Sequence, residues 1–220
     1  FVLYILNPVI IFDGSIWGQV DGILTLAMFG SAYYLLEKKQ PLTSFALAGV
    51  ALLIKPQAIA MMPILFALAF LKEGWRKVLT GSIVSTLVII VGFYPFFPDN
   101  PVYGAVDLIQ KMGVSYPYTS LYAFNVWSYV GMWQLDNQVF WGLTYFQWGV
   151  IMMGMAMLGL LVITFKQIKD HPTAYLLLAL ACMLFFLFPT RVHERYLFPF
   201  FAFLLTYAGL VKRRFVVVIA

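Results

Sequence analysis

Thr173-Ala-Tyr-Leu-Leu-Leu-Ala-Leu-Ala-Cys-Met-Leu-Phe-Phe-Leu-Phe-Pro-Thr190 carries no charge. Arg191-Val192-His193-Glu194-Arg195 follows at once, ahead of a second apolar run, Tyr196–Leu210. An uncharged stretch of this length is long enough to cross the hydrocarbon of a bilayer. Only helices or closed barrels satisfy their backbone there. A barrel strand would alternate polar and apolar residues. Leu178–Leu187 does not alternate, so the run reads as a membrane helix.

The rest of the chain extends this reading. It has 220 residues, of which 63% are hydrophobic, 18% aromatic and 10% charged. Soluble domains carry about 25% charged residues, so a soluble class is excluded. The fold class expected is all-α: a polytopic membrane helix bundle forming a single unit over residues 1–220, with short, broken helices and one long outer loop. The expected spans are Phe1–Phe12 (partial), Val20–Leu36, Leu42–Ile54, Ala58–Leu71, Val78–Pro95, Gly142–Phe165, Thr173–Thr190 and Tyr196–Leu210, with another starting at Phe215. The chain opens on Phe1-Val2-Leu3 and closes inside an apolar segment, so it is expected to be truncated at both ends. The lone Cys182 allows no disulfide within the chain.

The connections alternate in charge. Glu37–Gln40, Lys72–Lys77, Lys166–His171 and Lys212–Arg214 hold ten Lys/Arg and three acids. Asp13–Gln19, Lys55–Gln57, Phe96–Trp141 and Arg191–Arg195 hold four Lys/Arg and six acids, counting Asp21. The positive-inside rule makes the first set cytoplasmic. The net charge of +5 is thus +7 inside and −2 outside. It reports orientation, and no nucleic-acid partner is expected. Trp17, Trp127, Trp133 and Trp141 all fall on the outer side. There they form either an interfacial aromatic belt or a surface on which sugar rings stack.

Leu42–Ile54 and Ala58–Leu71 are short for a bilayer about 30 Å thick. The Lys55-Pro56-Gln57 turn between them is expected at partial depth, with Lys55 facing an outward-opening cavity or snorkelling to headgroups. In the outer loop, Val102, Val106, Ile109 and Met112 predict a short surface helix. With two His and one Cys there is no zinc or redox cluster, and no cofactor is expected; a carboxylate-held divalent cation stays open. Gly-rich phosphate loops and Ser-His-Asp patterns are also missing.

Four polar constellations remain, all outside: Asp13-Gly14-Ser15-Ile16-Trp17-Gly18-Gln19-Val20-Asp21, Lys55-Pro56-Gln57, Asn125-Val126-Trp127 and Arg191–Arg195. Each has a plain structural alternative, such as helix capping by Asp13, Asp21 or Asn125. Together they offer cations to an anion at the membrane edge, since arginine forks suit phosphate oxygens. They also offer carboxylates for sugar hydroxyls or general-base work. A lipid-linked phosphosugar fits that combination.

These motifs resemble those of GT-C glycosyltransferases. Asp13–Asp21 resembles their WGQ-D element. Lys55-Pro56-Gln57-Ala58, with Pro63 after it, resembles a K-P-Q-A helix start. Ala123-Phe124-Asn125-Val126-Trp127 resembles an A-F-N-x-W loop. Val192-His193-Glu194-Arg195-Tyr196-Leu197 resembles the H-E-R-Y-L signature, itself similar to the H-E-K motif of lumenal glucosyltransferases that extend lipid-linked oligosaccharides. The order of the motifs is nearest to bacterial proteins related to the glycosylphosphatidylinositol mannosyltransferases.

The resemblance implies an inverting membrane hexosyltransferase, with mannose the expected sugar. Its donor would be a polyprenyl-phosphate sugar and its acceptor lipid-linked, glycan or protein. Transfer would occur on the non-cytoplasmic face of a bacterial cell membrane, among membrane lipids. Asp13, His193 and Glu194 become catalytic candidates. Lys55, Arg191 and Arg195 would meet the donor phosphate. Trp17, Gln19, Asp21, Gln57, Asn125 and Trp127 would meet sugar or acceptor. In the family the general base lies in an earlier acidic outer loop, often near D-Y-P-P, which this chain lacks. The main base is therefore expected upstream of Phe1, leaving these 220 residues alone without it. A transporter or lipid flippase with an outward-facing anion site, and a non-catalytic membrane subunit, are the rival readings.

Overall fold

The computed structural model describes residues 2–167 and 171–211. Among them the architecture is an all-α bundle with one two-stranded hairpin. The first apolar run, expected as one partial span, is instead broken into α1 (Val2–Ile5) and α2 (Pro8–Ile11). Asn7 makes the break. Its side chain accepts a hydrogen bond from the Val9 amide at 2.9 Å. Pro8 follows at the start of α2, where a missing amide hydrogen costs nothing. α2 widens into one π-helical turn, Phe12–Ile16, closed by the Trp17 amide on the Phe12 carbonyl at 2.8 Å. Gly18, at φ +68°, reverses the chain into α3 (Asp21–Leu36).

α4 (Pro41–Ile54) ends where Pro56 requires. The proline ring crowds the preceding residue out of helical geometry, and Lys55 takes φ −152° and ψ 132°. A 3-10 turn, Pro56–Met61, then runs directly into α5 (Met62–Glu73). The second of the two short spans is therefore longer than expected. Pro56–Glu73 has 18 residues and joins α6 (Trp75–Phe93) and the later stretch Tyr145–Lys166 as a helix long and apolar enough to cross a membrane. α4 remains short, at 14 residues. Gly74, at φ +80°, separates α5 from α6.

The outer loop contains α7 (Pro101–Val114), on which Val102, Val106, Ile109 and Met112 are all exposed, as their spacing predicts for a surface helix. Its β1 (Val139–Phe140) and β2 (Leu143–Thr144) meet at Trp141-Gly142, both at positive φ, as the tightest hairpin turns require. α8 (Tyr145–Gln167), α9 (His171–Leu187), a 3-10 turn (Glu194–Leu197) and α10 (Phe198–Val211) complete the described bundle. Lys169, Asp170, Lys212–Arg214 and the segment from Phe215 lie outside the described residues.

The core joins Leu24, Met28 and Leu35 of α3 with Phe45 of α4, Leu65 and Leu68 of α5, Tyr175 and Leu178 of α9, and Phe203 of α10. In a bilayer such packing gains van der Waals contact rather than release of water. Ser31 and Ser44 hydrogen-bond across the buried α3–α4 contact at 3.2 Å. α6 fully buries only Gly81 but lies along α4, with Gly92 against Leu53 and Ser85 against Gly49, while Leu79, Ile83, Leu87 and Val91 are exposed on its other side. At the end of the bundle that carries residues 191–195, Gly149 lets α8 approach the turn after α9: a Cβ there would lie 3.0 Å from the Thr190 backbone nitrogen.

The charge alternation makes a topological prediction. In a Cys182→Ala background, Tyr129→Cys, on the exposed outer loop, should react with an impermeant maleimide on intact cells. Lys77→Cys, at the opposite end of α6, should react only after permeabilisation. Labelling of both from one face overturns the orientation.

Candidate functional site

The extended conformation that Pro56 imposes on Lys55 sets the centre of the site. The Lys55 Nζ lies 2.8 Å from both carboxylate oxygens of Asp21, the first residue of α3. Asp21 is fully buried, and the start of a helix suits its negative charge. Gln57, one residue beyond the proline, donates from Nε2 to Asp21 Oδ1 at 3.1 Å. Arg195 approaches from the turn after α9, its Nε 3.9 Å from Asp21 Oδ2 and its Nη1 3.3 Å from Glu194 Oε1. Three motifs thus meet around one carboxylate, the first two 34 residues apart and the third well over a hundred residues further on.

Beside this cluster runs a groove of about 700 Å³. Pro8, Val9, Ile11, Phe12, Ile16 and Trp17 give it apolar walls, while Asp13, Glu194 and Arg195 form its polar end. The π turn positions Asp13. The extra residue swings its side chain inward while Ile16 and Trp17 remain exposed. Asp13 is buried, and its Oδ2 has no hydrogen-bond partner; Glu194 Oε2, Arg195 Nε and Gln57 Oε1 are in the same condition. Burial, and then the neighbouring Asp21 carboxylate, push the Asp13 carboxyl up from 3.8 to about 6. Lys55 and Arg195 oppose that shift without cancelling it.

His193 belongs to the same electrostatic neighbourhood. Burial and then Arg195 lower its pKa below the ordinary imidazole value, so it is neutral at neutral pH. Its ring lies between Tyr116 of the outer loop, at 5.7 Å, and Tyr196, at 5.4 Å. A neutral imidazole can accept or donate a hydrogen bond but adds no positive charge for a phosphate.

Not all of the candidate residues share the groove. Asp13, Trp17, Glu194 and Arg195 line the groove. Lys55 and Gln57 stand behind it, bound to Asp21, with the Lys55 side chain 20% exposed. Gln19 is half-buried and closes the π turn through its backbone, its amide donating to the Asp13 carbonyl at 3.0 Å.

Asn125, Trp127 and Arg191 lie elsewhere. Asn125 donates to the Phe186 and Pro189 carbonyls at 3.2 and 3.4 Å, and Trp127 Nε1 donates to the Phe188 carbonyl at 2.6 Å. The Phe186 carbonyl is one that a helix leaves unpaired at its C-terminal end, here that of α9, and Phe188 and Pro189 follow it directly. Both side chains are buried in that role and present no surface to a sugar. Arg191 is likewise committed. Its Nε and Nη2 grip Asp136 at 2.7 and 3.1 Å, its Nη1 donates to the Gly113 carbonyl, and its guanidinium stacks 4.4 Å from the Phe146 ring. A fork so occupied is not free for a donor phosphate. Asp136, buried and joined also by the Thr190 hydroxyl at 2.9 Å, is the important residue that sequence reading missed.

The loop reaches the turn through main-chain bonds. The Leu121 amide donates to the Val192 carbonyl at 3.0 Å, and the Arg191 amide to the Tyr118 carbonyl at 2.9 Å. On the far side of that strip, the Trp133 amide donates to Ser120 at 3.0 Å and the Thr119 amide to Gln134 at 2.8 Å.

Compared with protein-family models, curated proteins and solved structures, the chain matches none. The functional reading therefore stands on the residues and geometry above.

Proposed function

We propose that the chain is the groove-bearing part of a membrane glycosyltransferase that moves a hexose from a polyprenyl-phosphate donor to an acceptor on the non-cytoplasmic side. The observation carrying this reading is the groove's composition. A long apolar wall suits an isoprenoid tail, and a cation, Arg195, stands beside two carboxyls that each have an oxygen without a hydrogen bond, the buried Asp13 and the half-buried Glu194. Arg195 would meet the phosphate and stabilise it as it leaves. Lys55 and Gln57 would hold Asp21, and through Asp21 the position of Arg195. The unpaired oxygens of Asp13 and Glu194 would hold sugar hydroxyls or take the acceptor proton. Hexose transfer, mannose as its sugar and a bacterial membrane come from the motif resemblance.

The test is a transfer assay with the intact protein in membranes and a panel of polyprenyl-phosphate hexoses. Arg195→Ala should reduce donor use roughly tenfold to a hundredfold, since a hydrogen bond to a charged group contributes about 1.5–3 kcal/mol. Arg191→Ala should instead lower stability by freeing Asp136. Equal donor kinetics in Arg195→Ala and the parent protein would remove the phosphate from this site.

One observation favours a second reading, a transporter. A helix broken at Pro56 with a half-buried Lys55 paired to the buried Asp21 resembles the interrupted helices of ion-coupled carriers. Uptake of an anionic substrate into vesicles, without sugar transfer, would select it.

A further inference from the structure

From Leu121 to Trp127 the outer loop alternates strictly. Leu121, Ala123, Asn125 and Trp127 point inward, while Tyr122, Phe124 and Val126 are exposed. Tyr122 does not stand alone. Its ring lies 5.4 Å from that of Trp133, which lies 5.2 Å from Tyr118. Tyr122 and Trp133 are 59% and 42% exposed. They sit at φ +64° and +60°, backbone conformations that bulky side chains rarely adopt and that cost about 1–3 kcal/mol each. An interfacial belt needs no such strain, because a ring in any loop conformation can settle among headgroups. The strain instead keeps two rings clustered and turned out.

The location of the cluster gives it an occupant. The strip 118–122 is hydrogen-bonded on one side to residues 191–192 and on the other to 133–134, and Tyr116 ends the strip against His193. Tyr118 and Tyr122 stand on the strip that pairs directly with residues 191–193, about 5 Å away, and Trp133 stands one strand spacing further out. A sugar ring held on the cluster would place its chain beside the polar end of the groove. Aromatic faces are electron-rich and attract the polarised C–H bonds of a pyranose.

We propose that Tyr118, Tyr122 and Trp133 form a saccharide-binding platform that holds the glycan portion of the acceptor next to the His193–Arg195 turn. This deepens the transferase reading and rests on it for the word acceptor, though not for glycan binding itself.

Saturation-transfer NMR on the intact protein in nanodiscs, with mannotriose, maltotriose and cellotriose as probes, tests it. At least one trisaccharide should receive magnetisation at its ring protons. Tyr122→Asn and Trp133→Asn remove the rings yet suit a left-handed backbone. Each should weaken binding roughly threefold to tenfold, from the energy of one lost ring contact. Thermal stability should stay equal or rise, whereas rings serving only to pack the loop would lower it on removal. Trp133→Phe should retain binding, as should Trp141→Ala, whose ring is exposed on the hairpin outside the cluster. Arg195→Ala should leave the sugar signal intact. Binding without transfer from any donor would keep the platform and remove the transferase. Transfer with an acceptor KM unmoved by the Asn variants would do the reverse. Absence of trisaccharide binding at millimolar concentration, or an equal loss in Trp141→Ala, as for a lipid belt, overturns the platform.

Discussion

Lys55→Met is expected to destabilise the protein by about 3 kcal/mol and to abolish its activity. Removing one partner of a buried ion pair costs about 3–5 kcal/mol because the other charge is left buried. Asp21 would keep only Gln57 at 3.1 Å and Arg195 at 3.9 Å. Arg195 can lean in, which places the loss at the low end of that range. The same movement withdraws Arg195 from the groove, so activity falls with stability. Replacing both charges separates the two effects. Lys55→Met with Asp21→Asn leaves no unpaired charge, and thermal unfolding should recover most of the lost stability while activity stays absent. If the double variant is no more stable than Lys55→Met alone, the pair is not the structural unit described.

Asp13→Asn is expected to act in opposite directions on activity and stability. If Asp13 takes the acceptor proton, its loss should reduce turnover roughly a hundredfold to ten-thousandfold, the usual weight of a general base. In the parent protein turnover should fall as pH drops through about 6, where Asp13 becomes protonated. For stability, the folded-state pKa is raised above the ordinary 3.8. The folded protein therefore holds this proton more firmly than the unfolded chain. Its stabilising contribution is complete below the ordinary value and is lost as pH rises through about 6. Asparagine carries no charge at any pH. The variant should be more stable than the parent at pH 8 and lack this group's pH dependence between about 4 and 6. A variant less stable at pH 8, with normal turnover, would make Asp13 a structural residue.

Much of the helical layout was legible because its punctuation is local. Pro41 opens α4, Pro56 ends it, and Gly74 separates α5 from α6; each acts through its own backbone. The break at Asn7-Pro8 is equally local but lies within an apolar run whose length suggested one span. The convergence of Asp21, Lys55 and Arg195 was legible only as an outer-side grouping by charge. Asn125 caps the 3-10 turn Val126–Tyr129, accepting from the Trp127 amide at 3.1 Å as its residue type suggested, but its longer-range role and those of Trp127 and Arg191 were not legible. Their partners lie 61, 61 and 55 residues away, at carbonyls and at one carboxylate that carry no pattern. Polar residues at an outer surface look alike in sequence whether they await a ligand or already hold a helix end.

The grip of Arg191 on Asp136 also bears on kinetics. With main-chain bonds on both sides of the strip, it makes the loop and the turn a single cooperative unit, expected to open together or not at all in hydrogen exchange. The loop is then a fixed wall beside the His193–Arg195 turn rather than a flap. The groove's exposed edge is the apolar side formed by Val9, Ile11, Phe12 and Ile16. A tailed molecule would then arrive by lateral diffusion within the leaflet, and the quantity that saturates the protein would be its number per unit area of membrane rather than its concentration in the surrounding water.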